Sequence, residues 1–309
     1  MSISVFIDGA AGTTGLEIRE RLAGRDRIEI VTLPDDKRKD AAARAEALND
    51  SQFVILCLPD EAAREAVSLI ANPHTRVIDA STAFRVAPDW TYGFPELEPS
   101  QQAAVAEASR VSNPGCYPTG FLALVRPLIR AGMIPVDWPL TVNAMSGYSG
   151  GGKAMIAEFE GADRAPAARP YALSLAHKHL PEMQKHARIE HPPIFQPSVV
   201  NTYRGMIVEV PLPLHAFHRR PSLEAVESAL RDAYKDSPLI AVADGDVGTV
   251  SIEDDAGTDR LTVRVSGNPA TGQALLIATL DNLGKGAAGA AVQNLNIMAG
   301  LDPVAGLVL

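Results

Sequence analysis

Asn113-Pro114-Gly115-Cys116-Tyr117-Pro118-Thr119-Gly120 is the segment richest in chemistry. Pro114-Gly115 forces a turn. Pro118 suits the first turn of a helix, where a missing N–H costs nothing. An apolar helical pattern follows at once, so Cys116 stands at or beside a helix N-terminus. The helix dipole there favours thiolate over thiol, which makes Cys116 a candidate nucleophile. The bland alternative is a buried structural cysteine. Cys57, the second of two cysteines, lies inside an apolar run with no turn and no cation, and reads as core packing.

Four of the seven histidines fall within residues 176–191. His177 and His179 share a face on a strand and diverge by about 200° on a helix. Pro181 opens the next helix, so the His-Lys-His segment precedes it. Either imidazole can serve Cys116 as a base, and Glu182 can orient one of them, as a carboxylate does in a triad. His-x-His is also a zinc pair. With no His-Glu-x-x-His and no paired Cys-x-x-Cys in the chain, no metal is expected. His74, His186, His191, His215 and His218 read as ordinary surface or core residues.

Gly9-Ala10-Ala11-Gly12-Thr13-Thr14-Gly15 spaces its glycines G-x-x-G-x-x-G between an apolar run and a helical pattern. In that context glycine lets the backbone approach a pyrophosphate, and the helix N-terminus offers oriented N–H groups. Ala11, Thr13 and Thr14 complete the candidate dinucleotide loop. After the second apolar run comes Asp35-Asp36-Lys37-Arg38-Lys39. Asp35 or Asp36 would suit the ribose hydroxyls of NAD, whereas Lys37 and Arg38 would suit a 2′-phosphate; the reading leans to NADP. A thiolate beside a nicotinamide implies one reaction class. Sulfur adds to an aldehyde carbon, hydride leaves to the dinucleotide, and phosphate cleaves the thioester to an acyl phosphate, in either direction.

The elements that must position these groups follow from periodicity. Strands are expected at residues 3–7, 28–33, 53–58 and 77–80, with helices at 15–23, 40–48 and 61–71 between them. This alternation implies βαβ units and a parallel sheet. A helix is expected over 121–131, stopped by Gly132. Strands are expected at 135–145, 206–214, 247–252, 261–266 and 274–280, with only one or two helices, and a small-residue helix at 287–298. The fold class is therefore α/β: a Rossmann-type parallel sheet carrying the dinucleotide, then an α+β domain on a mixed or antiparallel sheet. The boundary falls near residue 115.

The 309 residues are 46% hydrophobic and 21% charged, which excludes wholesale disorder. A net charge of −9 disfavours nucleic acid as a partner but leaves room for a small anionic substrate. Two cysteines suit a reducing compartment. The first residues lack a basic leader, and no apolar stretch approaches the ~18 residues of a membrane span. A cytoplasmic protein with no membrane partner is the expectation.

Seven segments together resemble the short form of the N-acetyl-γ-glutamyl-phosphate reductase family. They are DGAAGTTG (8–15), DASTAFR (79–85), YGFPEL (92–97), NPGCYPTG (113–120), SGYSGGGK (146–153), HKHLPEM (177–183) and NLGKGAAGAAVQNLN (282–296). The resemblance covers nearly the whole chain. It implies NADPH-dependent reduction of N-acetylglutamyl 5-phosphate to the 5-semialdehyde with release of phosphate, a step of arginine biosynthesis. It makes Cys116 the nucleophile and favours His177 slightly over His179 as base. It places Arg85 on the acyl phosphate or substrate anion. Ser146, Gly147, Ser149, Gly150 and Lys153 would line the nicotinamide and substrate site, with Asn113 and Glu182 also on the substrate side. Asn282 would hold the nicotinamide carboxamide. The C-terminal helix would return to the first domain, giving domains 1–115 plus 284–309, and 116–283. Such enzymes pair through the second-domain sheet, so a homodimer or homotetramer is expected. Aspartate-semialdehyde dehydrogenase is the sibling reading. A non-catalytic protein that senses the dinucleotide is the reading from another class.

Overall fold

Val5 and Ile7 pack to one side of the first strand and Phe6 to the other, all three buried. A strand with both faces hidden must be an inner strand of a covered sheet. The computed structural model describes residues 2–34, 36–38, 40–161, 164–245 and 248–309; Asp35, Lys39 and Val247 lie outside them. The chain forms two units. One holds the chain up to Pro95, Pro99–Gly115 and Ala287–Leu307; the other holds Glu96–Glu98, Cys116–Gly286 and Val308–Leu309.

In chain order the first unit runs β1 (Ile3–Asp8), α1 (Thr13–Leu22), β2 (Ile28–Val31), α2 (Ala41–Asp50), β3 (Phe53–Leu56), α3 (Asp60–Leu69), β4 (Arg76–Asp79), β5 (Thr91–Tyr92), α4 (Gln101–Glu107) and β6 (Arg110–Ser112). The strands order β2-β1-β3-β4-β6-β5, all parallel. Asp40 caps α2 by accepting from the Ala43 N–H at 2.8 Å. The strands stop earlier than their apolar runs suggest, because Pro34 and Pro59 follow and cannot donate to a ladder.

The second unit runs α5 (Cys116–Arg130), β7 (Thr141–Gly147), α6 (Gly152–Gly161), β8 (Ala168–Pro170), α7 (Leu180–Ala187), β9 (Ile194–Val200), β10 (Met206–Leu212), α8 (Leu223–Tyr234), β11 (Ile240–Val242), β12 (Leu261–Asn268) and β13 (Gln273–Leu280). Its sheet orders β11-β12-β13-β10-β7-β9-β8 and mixes parallel with antiparallel pairs. The α/β reading therefore holds, with four α-helices among this unit's described residues where one or two were expected. The strand expected from residue 135 begins only at Thr141, because Pro135 and Pro139 break the preceding run. The strand expected over 247–252 is absent among the described residues 248–252. Finally α9 (Gly289–Met298) returns to the first unit, where Ala291, Val292 and Leu295 join Ile18, Leu22 and Val105 under the parallel sheet. Ala47, Leu48, Ala63 and Ala66 cover its other face.

Helix α5 is the spine of the second unit, with every residue from Tyr117 to Ile129 buried. Gly120 lets it touch β10: a Cβ there would lie 2.7 Å from a Val208 methyl carbon. Pro127 lies inside the helix and cannot donate to the Ala123 carbonyl four residues back. The Tyr234 hydroxyl donates to that carbonyl instead, at 2.7 Å. Near the helix end Arg126 and Arg130 converge on Glu98 at 2.5 and 3.0 Å. Burial pushes the Glu98 carboxyl up, and hydrogen bonds from Arg130 and Arg126 overcome it, so its pKa is lowered. Tyr234→Phe should cost about 1–2 kcal/mol, the usual penalty for orphaning a buried acceptor. The loss should shrink in a Pro127→Ala background, where the helix supplies its own donor; urea midpoints of the four proteins measure this, and an unchanged loss contradicts the exchange.

Candidate active site

Cys116 opens α5 and is half-exposed, while every other residue from 111 to 129 is buried. Its sulfur therefore belongs to an accessible helix N-terminus, where the dipole favours a thiolate. Cys57 differs. Although part of its surface is open, burial and the charges of Asp79 and Asp8 push its thiol up to about 12.

Tyr117 follows Cys116 and is buried, and its ring organises the histidines. The centroids of His177 and His179 both lie 6.0 Å from it. The two imidazoles are 4.7 Å apart, and Phe195 of β9 closes the cluster at 5.1 Å from both Tyr117 and His177. The His-Lys-His segment is a turn that leads into α7, so neither the strand nor the helix geometry applies and both rings reach the same partner. The His179 N–H donates to His177 Nδ1 at 3.1 Å. A backbone N–H can only donate, so Nδ1 is the acceptor and neutral His177 carries its proton on Nε2. Burial, then the Lys178 charge, lowers the His177 pKa to about 4, which keeps the ring neutral.

A second cluster adjoins this one. Asn282 donates to the Ser149 hydroxyl at 2.9 Å and accepts from the Gly205 N–H at 2.9 Å. Gly147 must be glycine, since a Cβ would lie 2.7 Å from the Tyr203 carbonyl oxygen. At Gly150 a Cβ would come 3.1 Å from the Ser146 hydroxyl, which also bonds Tyr117. Lys153 is exposed in the first turn of α6, and Glu182 is buried in the first turn of α7. Gly286 escaped the sequence reading although its motif was noticed. A Cβ there would lie 2.9 Å from the Cys116 Cβ, so only glycine lets the turn Gly284–Ala288 seat against the cysteine. Beside it Lys285 is buried and bonds both oxygens of Glu96, at 2.9 and 2.8 Å.

The first unit holds the remaining candidates. Gly9 has φ +87°, and a Cβ there would strike the Cys57 carbonyl oxygen at 2.3 Å. Gly15 packs against Gly9 and Ala10. A Cβ on Gly12, by contrast, would meet only the Gly9 oxygen, at 3.4 Å, so the loop itself does not exclude a side chain there. No side chain caps α1, which Ala11 precedes and Thr13 and Thr14 begin. The loop thus fits a dinucleotide pyrophosphate, with room at Gly12 and no side chain capping the helix start. Lys37 and Arg38 are exposed in the turn after β2, beside Asp36; Asp35 is outside the described residues. Arg85 is buried and donates to the carbonyls of Asn113 at 3.0 Å and Ala80 at 3.1 Å. It steadies the backbone that leads to Pro114. The Asn113 amide donates to the Ala287 carbonyl and accepts from Asn294. Asp79 ends β4 fully buried, and burial raises its carboxyl to about 6 despite hydrogen bonds from Ser81 and the Arg85 charge.

Two family models match the chain: the semialdehyde dehydrogenase NAD-binding domain over residues 4–105 and the semialdehyde dehydrogenase dimerisation domain over 116–282. An N-acetyl-gamma-glutamyl-phosphate reductase of Chelativorans sp. is 52% identical over 305 residues, covering 96% of this chain and 98% of the relative. One from Pseudomonas putida is 47% identical over 96% of both chains. The chain belongs to the N-acetyl-γ-glutamyl-phosphate reductase family of semialdehyde dehydrogenases. Among solved structures, aspartate semialdehyde dehydrogenase II of Vibrio cholerae, complexed with ASA, aligns with a TM-score of 0.71 at 19% identity over 97% of this chain and 99% of that one. The aspartate semialdehyde dehydrogenase of Francisella tularensis aligns at 0.72 and 14%, over 96% and 100%. At those identities the likeness is one of fold. Among the described residues no helix is long and apolar enough to cross a membrane, and no group of three or more His, Cys, Asp and Glu is arranged around a metal position.

The two thiols should separate cleanly. Iodoacetamide at neutral pH should label Cys116 in the native protein while Cys57 stays unmodified, read by peptide mass spectrometry; equal labelling contradicts the assignment. Asp79 predicts a pH effect. Its folded pKa lies above the usual value, so its contribution to stability is fullest below about pH 4 and is lost as pH rises through about 6. Asp79→Asn should therefore gain on wild type in denaturation midpoint from pH 4 to pH 7; a constant difference contradicts this.

Proposed function

We propose that this chain reduces N-acetyl-L-glutamyl 5-phosphate to N-acetyl-L-glutamate 5-semialdehyde and phosphate, with NADPH, in arginine biosynthesis. The observation that carries the mechanism is the accessible Cys116 at the head of α5, one residue before the ring that holds both imidazoles. The Cys116 thiolate attacks the acyl carbon; a C–S bond forms, the C–O bond to phosphate breaks, and a thioester remains on the enzyme. The dinucleotide, when bound at the Gly9–Gly15 loop, supplies the hydride. The Nε2–H of neutral His177 donates to the oxygen that becomes negative on the reacting carbon. As the carbonyl re-forms, the C–S bond breaks, the aldehyde leaves and Cys116 returns as thiolate.

His177 rather than His179 takes this role, because its Nδ1 is committed to the His179 N–H and its remaining proton points elsewhere. Arg85 serves the substrate anion, with Asn113, Ser146, Gly147, Lys153 and Glu182 shaping the substrate side. Ser149, Gly150 and Asn282 would hold the nicotinamide. Lys37 and Arg38 favour the 2′-phosphate of NADP(H), and no acidic residue in the described turn except the exposed Asp36 competes for it. The match to a dimerisation domain supports a homodimer or homotetramer, and a soluble biosynthetic role supports a cytoplasmic location.

Cys116→Ser should retain dinucleotide binding and lose about 10³-fold or more in turnover, because a serine hydroxyl at this position lacks a base of matched strength. The assay is phosphate-dependent NADP⁺ reduction with N-acetylglutamate semialdehyde. Aspartate semialdehyde as the better substrate would overturn the substrate assignment, and a variant near wild-type rate would overturn the covalent route.

A further inference from the structure

Between β8 and α7 the chain makes a loop whose tip is solvent-exposed at Leu173 and Leu175. Ala172 and Leu175 adopt φ +52° and +56°, a left-handed backbone that L-residues enter only under constraint. At the tip the Leu175 N–H donates to the Ala172 carbonyl at 3.0 Å, and Tyr171 anchors the start of the loop. Its N–H donates to the Pro197 carbonyl of β9 at 3.1 Å. Its hydroxyl donates to the Tyr117 hydroxyl at 3.2 Å, and Tyr117 in turn donates to the Ser198 carbonyl at 3.4 Å. The Tyr171 ring lies edge-on to His177, 5.7 Å between centroids. At the far end His177 is fixed by the His179 N–H on Nδ1 and by the Leu180 N–H on its carbonyl.

We propose that Tyr171 is a positioning residue for His177: its hydroxyl, bonded to Tyr117, locks the strained loop onto α5 and β9 so that thiol and imidazole are set by one shared aromatic ring. Tyr117 neighbours Cys116 along the chain and touches both histidines, so any slip of the loop moves the imidazole relative to the sulfur. Burial keeps both phenols protonated, with Tyr171 raised to about 12 and Tyr117 raised as well, so the hydroxyl chain persists through the working pH range. The titratable groups facing His177 are Tyr117 from α5 and Tyr171, Lys178 and His179 from its own segment; Cys116 lies close enough to raise both tyrosines.

The kinetic arm rests on the covalent reading above; the spectroscopic arm does not. Tyr171→Phe keeps the ring and removes the hydroxyl. It should lower kcat about tenfold, since small misplacements of a reacting group are costly, while leaving KM for NADPH unchanged. The ¹⁵N signals of His177 should show a fixed Nε2–H tautomer in wild type from pH 5 to 9 and tautomer averaging in the variant. The Cys116 alkylation rate should stay within about twofold, because the helix N-terminus is untouched. Wild-type kcat together with unaltered His177 signals in Tyr171→Phe overturns the proposal. So does tautomer averaging of His177 in the wild-type protein, a result that needs no variant to fold. If turnover proves independent of Cys116 while the tautomer lock is present and lost on Tyr171→Phe, the covalent reading fails and the positioning role stands.

Discussion

On the proposed mechanism a reactive sulfur must stand at the accessible end of an otherwise buried helix, and the second unit holds Cys116 in that place. Thirteen consecutive residues of α5 are buried behind Cys116. The helix cannot shift without disturbing β10 at Gly120, the Tyr234 bond at Ala123, or the arginines on Glu98. Its N-terminus is thereby a fixed electrostatic feature, and a helix N-terminus favours thiolate over thiol. Gly286 seats closely against the Cα and Cβ of the cysteine.

The histidines are held by different means. They sit on a turn rather than on a regular element, and aromatic edges, backbone hydrogen bonds and a pair of phenols define their places. Burial and the Lys178 charge keep His177 neutral, and on the proposed mechanism its committed Nδ1 leaves Nε2 to donate. The proposed thiolate and donating imidazole form a coherent pair: neither needs the other to carry a charge. The buried ion pair Lys285–Glu96 and the Asn282 contacts stiffen the turns that border the cysteine.

Much of this was legible in residue order. The strands β1, β3 and β4 were legible, within a residue or two at their ends, because their apolar residues are buried on both faces. Cys116 stood out because proline and glycine announce the turn before it. Strand β9 was missed because its second face is open: Ile194, Gln196 and Ser198 alternate with buried residues, and Pro197 breaks the pattern. Helix α8 was missed although Ser222 caps it and Leu223–Tyr234 carries a clear apolar stripe. Tyr117 and Tyr171 carried no signal, since a tyrosine's role depends on partners 54 residues apart in the chain. The Asn282 and Asn113 amides looked like ligand contacts; each is also tied into its own unit, which a spacing argument cannot reveal.

The central claim is a covalent acyl intermediate on Cys116. Incubating the protein with N-acetylglutamyl 5-phosphate in the absence of any dinucleotide, then quenching in acid and analysing peptides by mass spectrometry, tests it most directly. The account predicts one N-acetylglutamyl group on the peptide containing Cys116, removed by hydroxylamine and absent from the Cys57 peptide. Full turnover in the complete assay with no such adduct, or an adduct on another residue, would contradict it.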